Sequence, residues 1–421
     1  MNNCGMIGKN MNNTDDLIKN SKHFCILPWV HFHASFNGDV LPCCLFNVYE
    51  KSYPLGNINE SSVNDIWFGK DFAEIRKRFM EDEYDCRCDY CYKLEESGIQ
   101  SPRQKSNIEY SDKLEWVRNT DNLGVSKDAK PISLDIRVSN ICNFRCRTCF
   151  HGSSSSWYND TIKLYPNELK GSSAIIRNIK NYDKLFSELL PFFSELREIY
   201  FCGGEPLLMD EQFRLLKYLD DNNLHNIYIR YNTNLSTLIC NNVDITDLWK
   251  NFKNIFVFAS IDGIKKRGEY IRKGMKWDNI ERNINHLLNK CDNIHFILNP
   301  VLSIFNAYHI PEMHDYFIQR GYLKKIYDMH INSLLIPTYY SVKILPMYMK
   351  TELCKLYKDH SIRYNTNYWY DSFYNYINNS SNNCDNNIKE FVRITNKLDF
   401  IRNENILDVC PELKNIMKEY L

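Results

Sequence analysis

The residues best suited to chemistry are three cysteines in the run Cys142-Asn143-Phe144-Arg145-Cys146-Arg147-Thr148-Cys149-Phe150. A CxxxCxxC loop can cap three corners of a cubane iron–sulfur cluster and leave the fourth iron without a protein ligand. Such an open iron is a place where hard donors bind and react. A purely electron-carrying four-iron cluster would want a fourth cysteine close by, and a structural zinc site would normally pair two CxxC or Cys/His knuckles. Neither accompanies this loop. The competing reading is three buried or zinc-bound cysteines. Downstream, the strand-like Glu198-Ile199-Tyr200-Phe201 runs into Cys202 and then Gly203-Gly204-Glu205-Pro206, a turn that glycine suits for close backbone approach.

A second cysteine constellation lies upstream: Cys25, the pair Cys43-Cys44, then Cys86, Cys88 and Cys91, the last two forming a CxxC. Gly38 in a hairpin turn lets flanking cysteines come to one side, and the CxxC beyond a helix can complete four-thiolate ligation. Two thiols are surplus, so Cys43 and Cys44 compete for one position, and Cys86 and Cys88 for another. Structural zinc is the alternative occupant of a four-cysteine site.

The elements that position these groups follow from pattern. Residues 1–22 are polar and aperiodic and read as a flexible N-terminus, with Cys4 a bystander. From Phe24, two β-rich runs flank Asn37-Gly38-Asp39, a hairpin signal. His31 and His33 share one side of its first strand, where they either contact substrate or are partly buried strand histidines. Ser61 and Ser62 can cap a helix running to about Met80, with Ile66, Trp67, Phe72, Ile75 and Phe79 on one face. The polar stretch 107–130 reads as a connector. Strands are then expected at 132–138, 198–201, 227–232, 255–261, 294–302 and 326–331. Helices are expected near 182–190, 211–221, 244–249, 277–288 and 311–320. Strands joined by helical crossovers imply a parallel sheet, either an incomplete (β/α)6 barrel or a doubly wound open sheet. Residues 343–421 read as a helical extension.

At 421 residues, with 44% hydrophobic and 25% charged residues, the chain can build two or three domains with a substantial core. Lys+Arg and Asp+Glu both number 52, so no long-range field favours nucleic acid. The 16 cysteines cluster at metal-ligand spacings rather than spreading as a disulfide framework, and no hydrophobic export segment precedes them. A reducing, cytoplasmic compartment is expected. Apolar runs are too short to span a bilayer, so no membrane is expected. The Asn-rich tract 378–387 reads as a solvated loop.

Taken together, the cysteine loop and the Gly-Gly-Glu-Pro turn resemble the radical S-adenosylmethionine (radical SAM) superfamily. The resemblance selects the partial (β/α)6 TIM-like barrel, over 131–342. The Cys25…Cys91 segment, over 23–106, resembles the twitch subdomain, a shortened relative of the SPASM auxiliary-cluster domain, a small α+β fold. The stretch Gly98-Ile99-Gln100-Ser101-Pro102-Arg103 resembles the segment after the CxxC in relatives with an N-terminal twitch. Family spacing makes Cys25, Cys43, Cys88 and Cys91 the first choice of auxiliary [4Fe-4S] ligands.

The resemblance implies that Cys142, Cys146 and Cys149 hold a [4Fe-4S] cluster whose open iron chelates the methionyl group of SAM. Gly203, Gly204, Glu205 and Pro206 would hold its ammonium, and Phe150 would sit beside adenine. Asn232 or Asn234, Ser260 and Asp262 would make ribose and methionyl contacts, and Arg272 would pair with the carboxylate. The implied activity is reductive cleavage of SAM to a 5′-deoxyadenosyl radical, hydrogen abstraction, and net-oxidative modification of a small metabolite or ribosomally made peptide. Flavodoxin or ferredoxin would supply the electron. A rival is redox-neutral epimerisation with Cys202 returning a hydrogen atom; otherwise Cys202 packs as a small hydrophobe, and Cys240, Cys291, Cys354, Cys384 and Cys410 are structural. The non-enzymatic alternative is a two-cluster electron carrier or iron sensor, against which the Gly203–Pro206 turn argues.

Overall fold

The computed structural model describes residues 17, 20–46, 53–96, 100–169, 171–334, 336–378 and 384–420. Most of the expected N-terminal tail, with Cys4, lies outside the described residues, as do residues 98–99, much of the Asn-rich tract and the side chain of Cys384. The chain divides into two compact units. One gathers residues 1–139, Arg177–Phe201 and Asn226–Ile229; the other gathers Asn140–Ile176, Cys202–His225 and Arg230–Leu421. These units cut across the boundaries expected from sequence.

In the first unit, β1 (His31–Ala34) and β2 (Asp39–Leu41) form the expected hairpin. Asn37 and Gly38 turn the chain with φ of 59° and 82°. β3 (Gly56–Asn57) pairs antiparallel with β2. On its other side β1 runs parallel to β4 (Ser133–Ile136), which runs parallel to β5 (Glu198–Phe201). The cysteine-bearing N-terminal segment and the strand leading to the CxxxCxxC loop therefore share hydrogen bonds.

Strand alternation divides this sheet chemically. Phe32, Ala34, Leu134, Ile136, Ile199 and Phe201 form an apolar face, buried throughout, with the Trp67 ring 6.3 Å from Phe32. His31, His33, Ser133, Asp135, Glu198 and Tyr200 alternate with them on the other face.

Ser62 accepts a hydrogen bond from the amide of Asp65 and caps the helix Val63–Trp67. The expected single helix then breaks at Gly69, where a Cβ would come within 2.4 Å of the Asp65 carbonyl, and resumes as Lys70–Met80. The expected connector is instead folded. It contains the end of the helix Pro102–Glu109 and the helix Leu114–Arg118. Tyr110, Val117 and Ala129 anchor it as buried residues in an otherwise polar run.

In the second unit, β6 (Tyr228–Thr233), which begins in the first unit's span, leads to β7 (Asn254–Ala259) and β8 (Ile294–Leu298), the last two parallel in register. Crossover helices Asp210–Asp221, Ile245–Trp249, Trp277–Lys290 and Ile310–Gln319 lie close to their expected positions. The expected strand 294–302 ends at Leu298, just before Pro300, which has no N–H to give a ladder. The expected strand 326–331 does not form as such. The Asp328 carboxylate accepts from the Lys325 amide at 2.9 Å and fixes a turn there, leaving one bridge between Leu298 and Met329 and the short pairing of Asn332–Ser333 with Val301–Leu302. Long helices, Met347–Tyr364 and Cys384–Arg402, complete the C-terminal region. Among the described residues, no helix is long and apolar enough to cross a membrane.

Candidate functional site

The CxxxCxxC loop is held from three directions within the second unit. Gly204 lies against the chain just before Cys142: a Cβ there would meet the Ile141 carbonyl at 2.2 Å, and the same carbonyl accepts from the Glu205 amide at 2.7 Å. Gly204 adopts φ of 50°, so only glycine brings the Gly-Gly-Glu-Pro turn this close. On another side, the amides of Arg145 and Arg147 donate to the carbonyls of Lys273 and Ile271, each at 2.8 Å. Gly274 permits this approach, since a Cβ there would reach the Asn143 carbonyl at 2.8 Å.

The third hold comes from the serine run after the loop. Ser156 donates to the Cys142 carbonyl at 2.7 Å, Ser154 to that of Phe144 at 2.5 Å, and the Trp157 indole to that of Cys146 at 2.8 Å. Sequence reading missed these residues; the repeated serines next to the motif were the available signal.

The thiols themselves suit metal. Burial pushes Cys142 up to about 12 and raises Cys146 and Cys149, with neighbouring thiols adding to the rise at Cys142 and Cys149. Thiols so placed become thiolates when a bound metal displaces their protons into solvent. Donors already face the sulfurs: the Phe144 amide lies 3.5 Å and Asn234 Nδ2 3.9 Å from Cys142 Sγ, and an Arg272 guanidinium nitrogen lies 3.7 Å from Cys146 Sγ. The donor set therefore fits an iron–sulfur cluster, which Cys142, Cys146 and Cys149 would hold.

Several expected cofactor contacts have internal partners. Glu205 is buried, and its carboxylate accepts from Thr233 Oγ1 at 2.6 Å, the Asn234 amide at 2.7 Å and the Leu207 amide at 3.2 Å. Burial still raises it to about 7. It braces the end of β6 against the turn. Asn234 donates to Asn143 Oδ1 at 3.0 Å, and its own side-chain oxygen receives the Ser236 amide at 2.8 Å. Asp262 is fully buried, 2.8 Å from Arg272 Nε and 2.8 Å from the Val301 amide, so it orients Arg272 and fixes a backbone turn. Ser260 and Asn232 are half-buried at the ends of β7 and β6, while Phe150 is exposed beside Cys149. Cys202 is buried.

Behind the loop, charged residues from the C-terminal region reach the non-cysteine positions of the motif. Arg147, wholly buried, pairs with Asp399 and with Glu404 at 2.8 Å and lies 3.7 Å from the centroid of the Tyr270 ring. Arg145 pairs with Asp160 at 2.7 Å, and Arg402 reaches the same carboxylate at 2.8 Å. No sequence signal linked Asp399, Arg402 and Glu404 to the loop and Asp160, from which they lie some 250 positions away, as in the Arg147–Glu404 separation of 257.

The first unit gathers the other cysteines. Burial raises Cys43 well above the usual thiol range, and Cys44, Cys25, Cys88 and Cys91 add to it. Cys88 is raised by burial and then by Cys25, Asp85 and Cys91, and Cys25 is pushed to about 12 by burial with Cys91 contributing. Cys25, Cys43, Cys88 and Cys91 thus lie near enough to feel one another's charge. Cys44, raised to about 11 by burial, next feels Asp135 and Arg137. Cys86 belongs to the turn Cys86–Cys88.

Behind this set, Arg103 donates to the Phe24 carbonyl at 2.5 Å and pairs with Glu95, while Asn107 receives the Ile26 amide at 2.9 Å and donates to the Phe24 carbonyl at 3.0 Å. The stretch after the CxxC therefore fixes the backbone on both sides of Cys25. A single zinc ion would draw sulfurs to about 3.8 Å apart, given Zn–S bonds of about 2.3 Å in a tetrahedron. Among the described residues, no three cysteine sulfurs fall within 4.8 Å of one another.

Comparison with known families accounts for both cysteine groups. Residues 25–92 match the SPASM iron–sulfur cluster-binding domain, and residues 136–316 match the Radical SAM superfamily. The central domain is a radical SAM domain. It is a type that carries a [4Fe-4S] cluster and SAM, here preceded by an auxiliary-cluster domain. No curated protein matches the chain. Similar solved structures include native anSMEcpe with bound AdoMet, at 20% identity and TM-score 0.35, covering 65% of this chain and 62% of that one. A polyhistidine-tagged form of anSMEcpe with bound AdoMet gives 24% identity and TM-score 0.38, covering 59% and 60%. TYW1 with a lysine-pyruvate adduct bound gives 14% identity and TM-score 0.30, covering 51% and 68%. The chain spans about three fifths of the anSMEcpe structures.

Proposed function

We propose that this radical SAM enzyme carries out net-oxidative modification of a small metabolite or ribosomally made peptide, with an auxiliary [4Fe-4S] cluster in the first unit taking the substrate electron. The observation that carries this reading is the convergence of Cys25, Cys43, Cys88 and Cys91 in addition to the CxxxCxxC loop. When bound, the barrel cluster and SAM supply reductive cleavage to a 5′-deoxyadenosyl radical for hydrogen abstraction.

In this proposal Cys142, Cys146 and Cys149 hold the cluster, and the backbone of Gly203 and Gly204 receives the methionyl ammonium, with Pro206 closing the turn. Glu205 acts through that backbone, because its carboxylate already holds Thr233, Asn234 and Leu207. Asp262 aims Arg272, whose guanidinium serves both Cys146 and the methionyl carboxylate. Phe150 covers adenine, and Asn232 and Ser260 take ribose contacts. The electron comes from flavodoxin or ferredoxin in a cytoplasmic setting.

Epimerisation would need Cys202 as hydrogen donor. Its burial favours the packing role. The experiment is anaerobic turnover with SAM and reductant in deuterated water, with 5′-deoxyadenosine and product mass followed together. Oxidation gives a product two electrons more oxidised and without solvent deuterium. One deuterium at an inverted carbon, lost in Cys202→Ala, would establish the epimerase instead, and no 5′-deoxyadenosine at all would leave an electron carrier.

A further inference from the structure

The polar face of the first unit's sheet carries a set of side chains that neither thiolate site uses. His31 and His33 lie on β1, and Asp135 lies on β4, directly opposite His33 in the parallel register. One ligand atom from each falls within 4.8 Å of the other two. They are the only His, Cys, Asp or Glu group of three or more so close among the described residues.

Three features make this more than a polar corner. His33 and Asp135 are each 1% exposed, so this carboxylate is well shielded from water. His33 Nδ1 lies 2.9 Å from Asp135 Oδ2, yet it makes no hydrogen bond of acceptable geometry and is left as a buried polar atom without such a partner. That spacing matches the roughly 2.8–3.1 Å between two donors at a right angle on one ion with bonds of about 2.0–2.2 Å. The His31 ring is already oriented, its Nδ1 lying 2.8 Å from Ser133 Oγ, and it stacks at 7° to the His33 ring with centroids 6.5 Å apart. A hydrogen bond on one ring nitrogen that fixes the other for ligation is the usual support of a metal-binding histidine.

We propose that His31, His33 and Asp135 form a third metal site, for a divalent first-row cation held by two imidazoles and one carboxylate. The donor set is nitrogen and oxygen, which separates it chemically from the sulfur sites. Three protein ligands leave positions open for water or an oxygen-bearing ligand. Arg137, 3.5 Å from Asp135 Oδ2, is the competing cation, and the two must share the carboxylate.

The test uses protein reconstituted anaerobically with both clusters oxidised, so that cysteine sulfurs are occupied and the clusters are silent in EPR. Mn²⁺, which disfavours thiolate ligation, is titrated and its free signal followed by EPR; Zn²⁺ uptake is measured in parallel by elemental analysis. We expect one ion per chain beyond cluster iron. Affinity should fall at least ten-fold in His33→Ala, Asp135→Asn and the more conservative His31→Gln, and about ten-fold in Ser133→Ala, which removes only the orienting hydroxyl. Iron and sulfide content unchanged in His31→Gln shows that the fold is kept. The proposal is overturned if wild type takes up neither ion stoichiometrically, or if uptake is the same in His31→Gln and Ser133→Ala as in wild type.

Discussion

The two cysteine sites are built by opposite routes. The radical SAM loop takes its three thiols from one short run, and the surrounding unit holds that run still: Gly204 and Gly274 against its backbone, serines on its carbonyls, and buried ion pairs on its arginines. The auxiliary set is gathered from a hairpin and a distant CxxC, with surplus thiols beside two of its positions. The first site has its ligands in place locally and needs rigidity. The second has its ligands only when the first unit has folded, and its support is one helix, through Arg103 and Asn107, around Cys25.

The sharpest way to break this comparison is to remove each thiolate set in turn. Anaerobically reconstituted protein should bind about eight irons as two four-iron clusters. Changing Cys142, Cys146 and Cys149 to Ala should halve the iron and abolish 5′-deoxyadenosine formation. Cys88→Ala or Cys91→Ala should also lose one cluster but retain SAM cleavage, with turnover of the true substrate suffering most. Iron analysis and chromatography of 5′-deoxyadenosine decide it, and zinc in the N-terminal set after anaerobic purification would reverse the cluster assignment there.

Rigidity around the loop predicts a stability effect. Arg147→Ala would take the guanidinium from the buried Asp399, which keeps the Tyr270 hydroxyl and the Ile406 amide, and from the half-buried Glu404, which keeps Lys273, and should cost about 3 kcal/mol in thermal or denaturant unfolding. The comparable change at the auxiliary site's exposed pair, Lys93→Ala beside Asp89, should cost under about 1 kcal/mol. Equal losses would remove the distinction.

Glu205 gives a pH signature. Burial raises its carboxyl from the ordinary range to about 7 in the folded protein, so between about pH 4.5 and 7 the folded state binds the extra proton. Its contribution to stability is therefore greatest at low pH and declines as pH rises to 7, by an amount on the order of 1–3 kcal/mol. Glu205→Gln should flatten that slope. An unfolding midpoint that tracks pH identically in wild type and variant would refute it.

The smallest expected effect is electrochemical. Arg272→Gln removes a cation from beside Cys146 Sγ, which should lower the midpoint potential of the barrel cluster. A charge-assisted contact of about 1–2 kcal/mol corresponds to about 40–90 mV for one electron. An EPR-monitored redox titration measures it, and the auxiliary cluster in the same sample should not move.

Legibility in the sequence followed the same divide. The CxxxCxxC loop and the Gly-Gly-Glu-Pro turn were readable because each is contiguous and each residue type has one physical use. Strand and crossover positions were readable from their period as far as β8. Beyond it, Pro300 and the Lys325–Asp328 turn outweighed an apolar run that looked like a strand. The 107–130 stretch looked like a connector because Tyr110, Val117 and Ala129 are sparse in a polar context, yet each is buried. Asp399, Arg402 and Glu404 left no trace at all, since only folding brings them to Arg145 and Arg147 and their neighbours. Glu205 and Asn234 show the reverse: residues picked out as ligand contacts already hold hydrogen bonds within the protein, and Asp262 holds an ion pair with Arg272.

The parallel pairing of β1 with β4 has a practical consequence. His31–Ala34 is the strand that covers one margin of Ser133–Ile136. A chain trimmed to begin near residue 107 would leave that margin as an open row of amides and carbonyls, the kind of template on which sheets of separate molecules join. Trimming should therefore give an aggregating product rather than a minimal cluster-cleavage domain, and during synthesis the hairpin must wait for roughly a hundred further residues before its partner strand arrives.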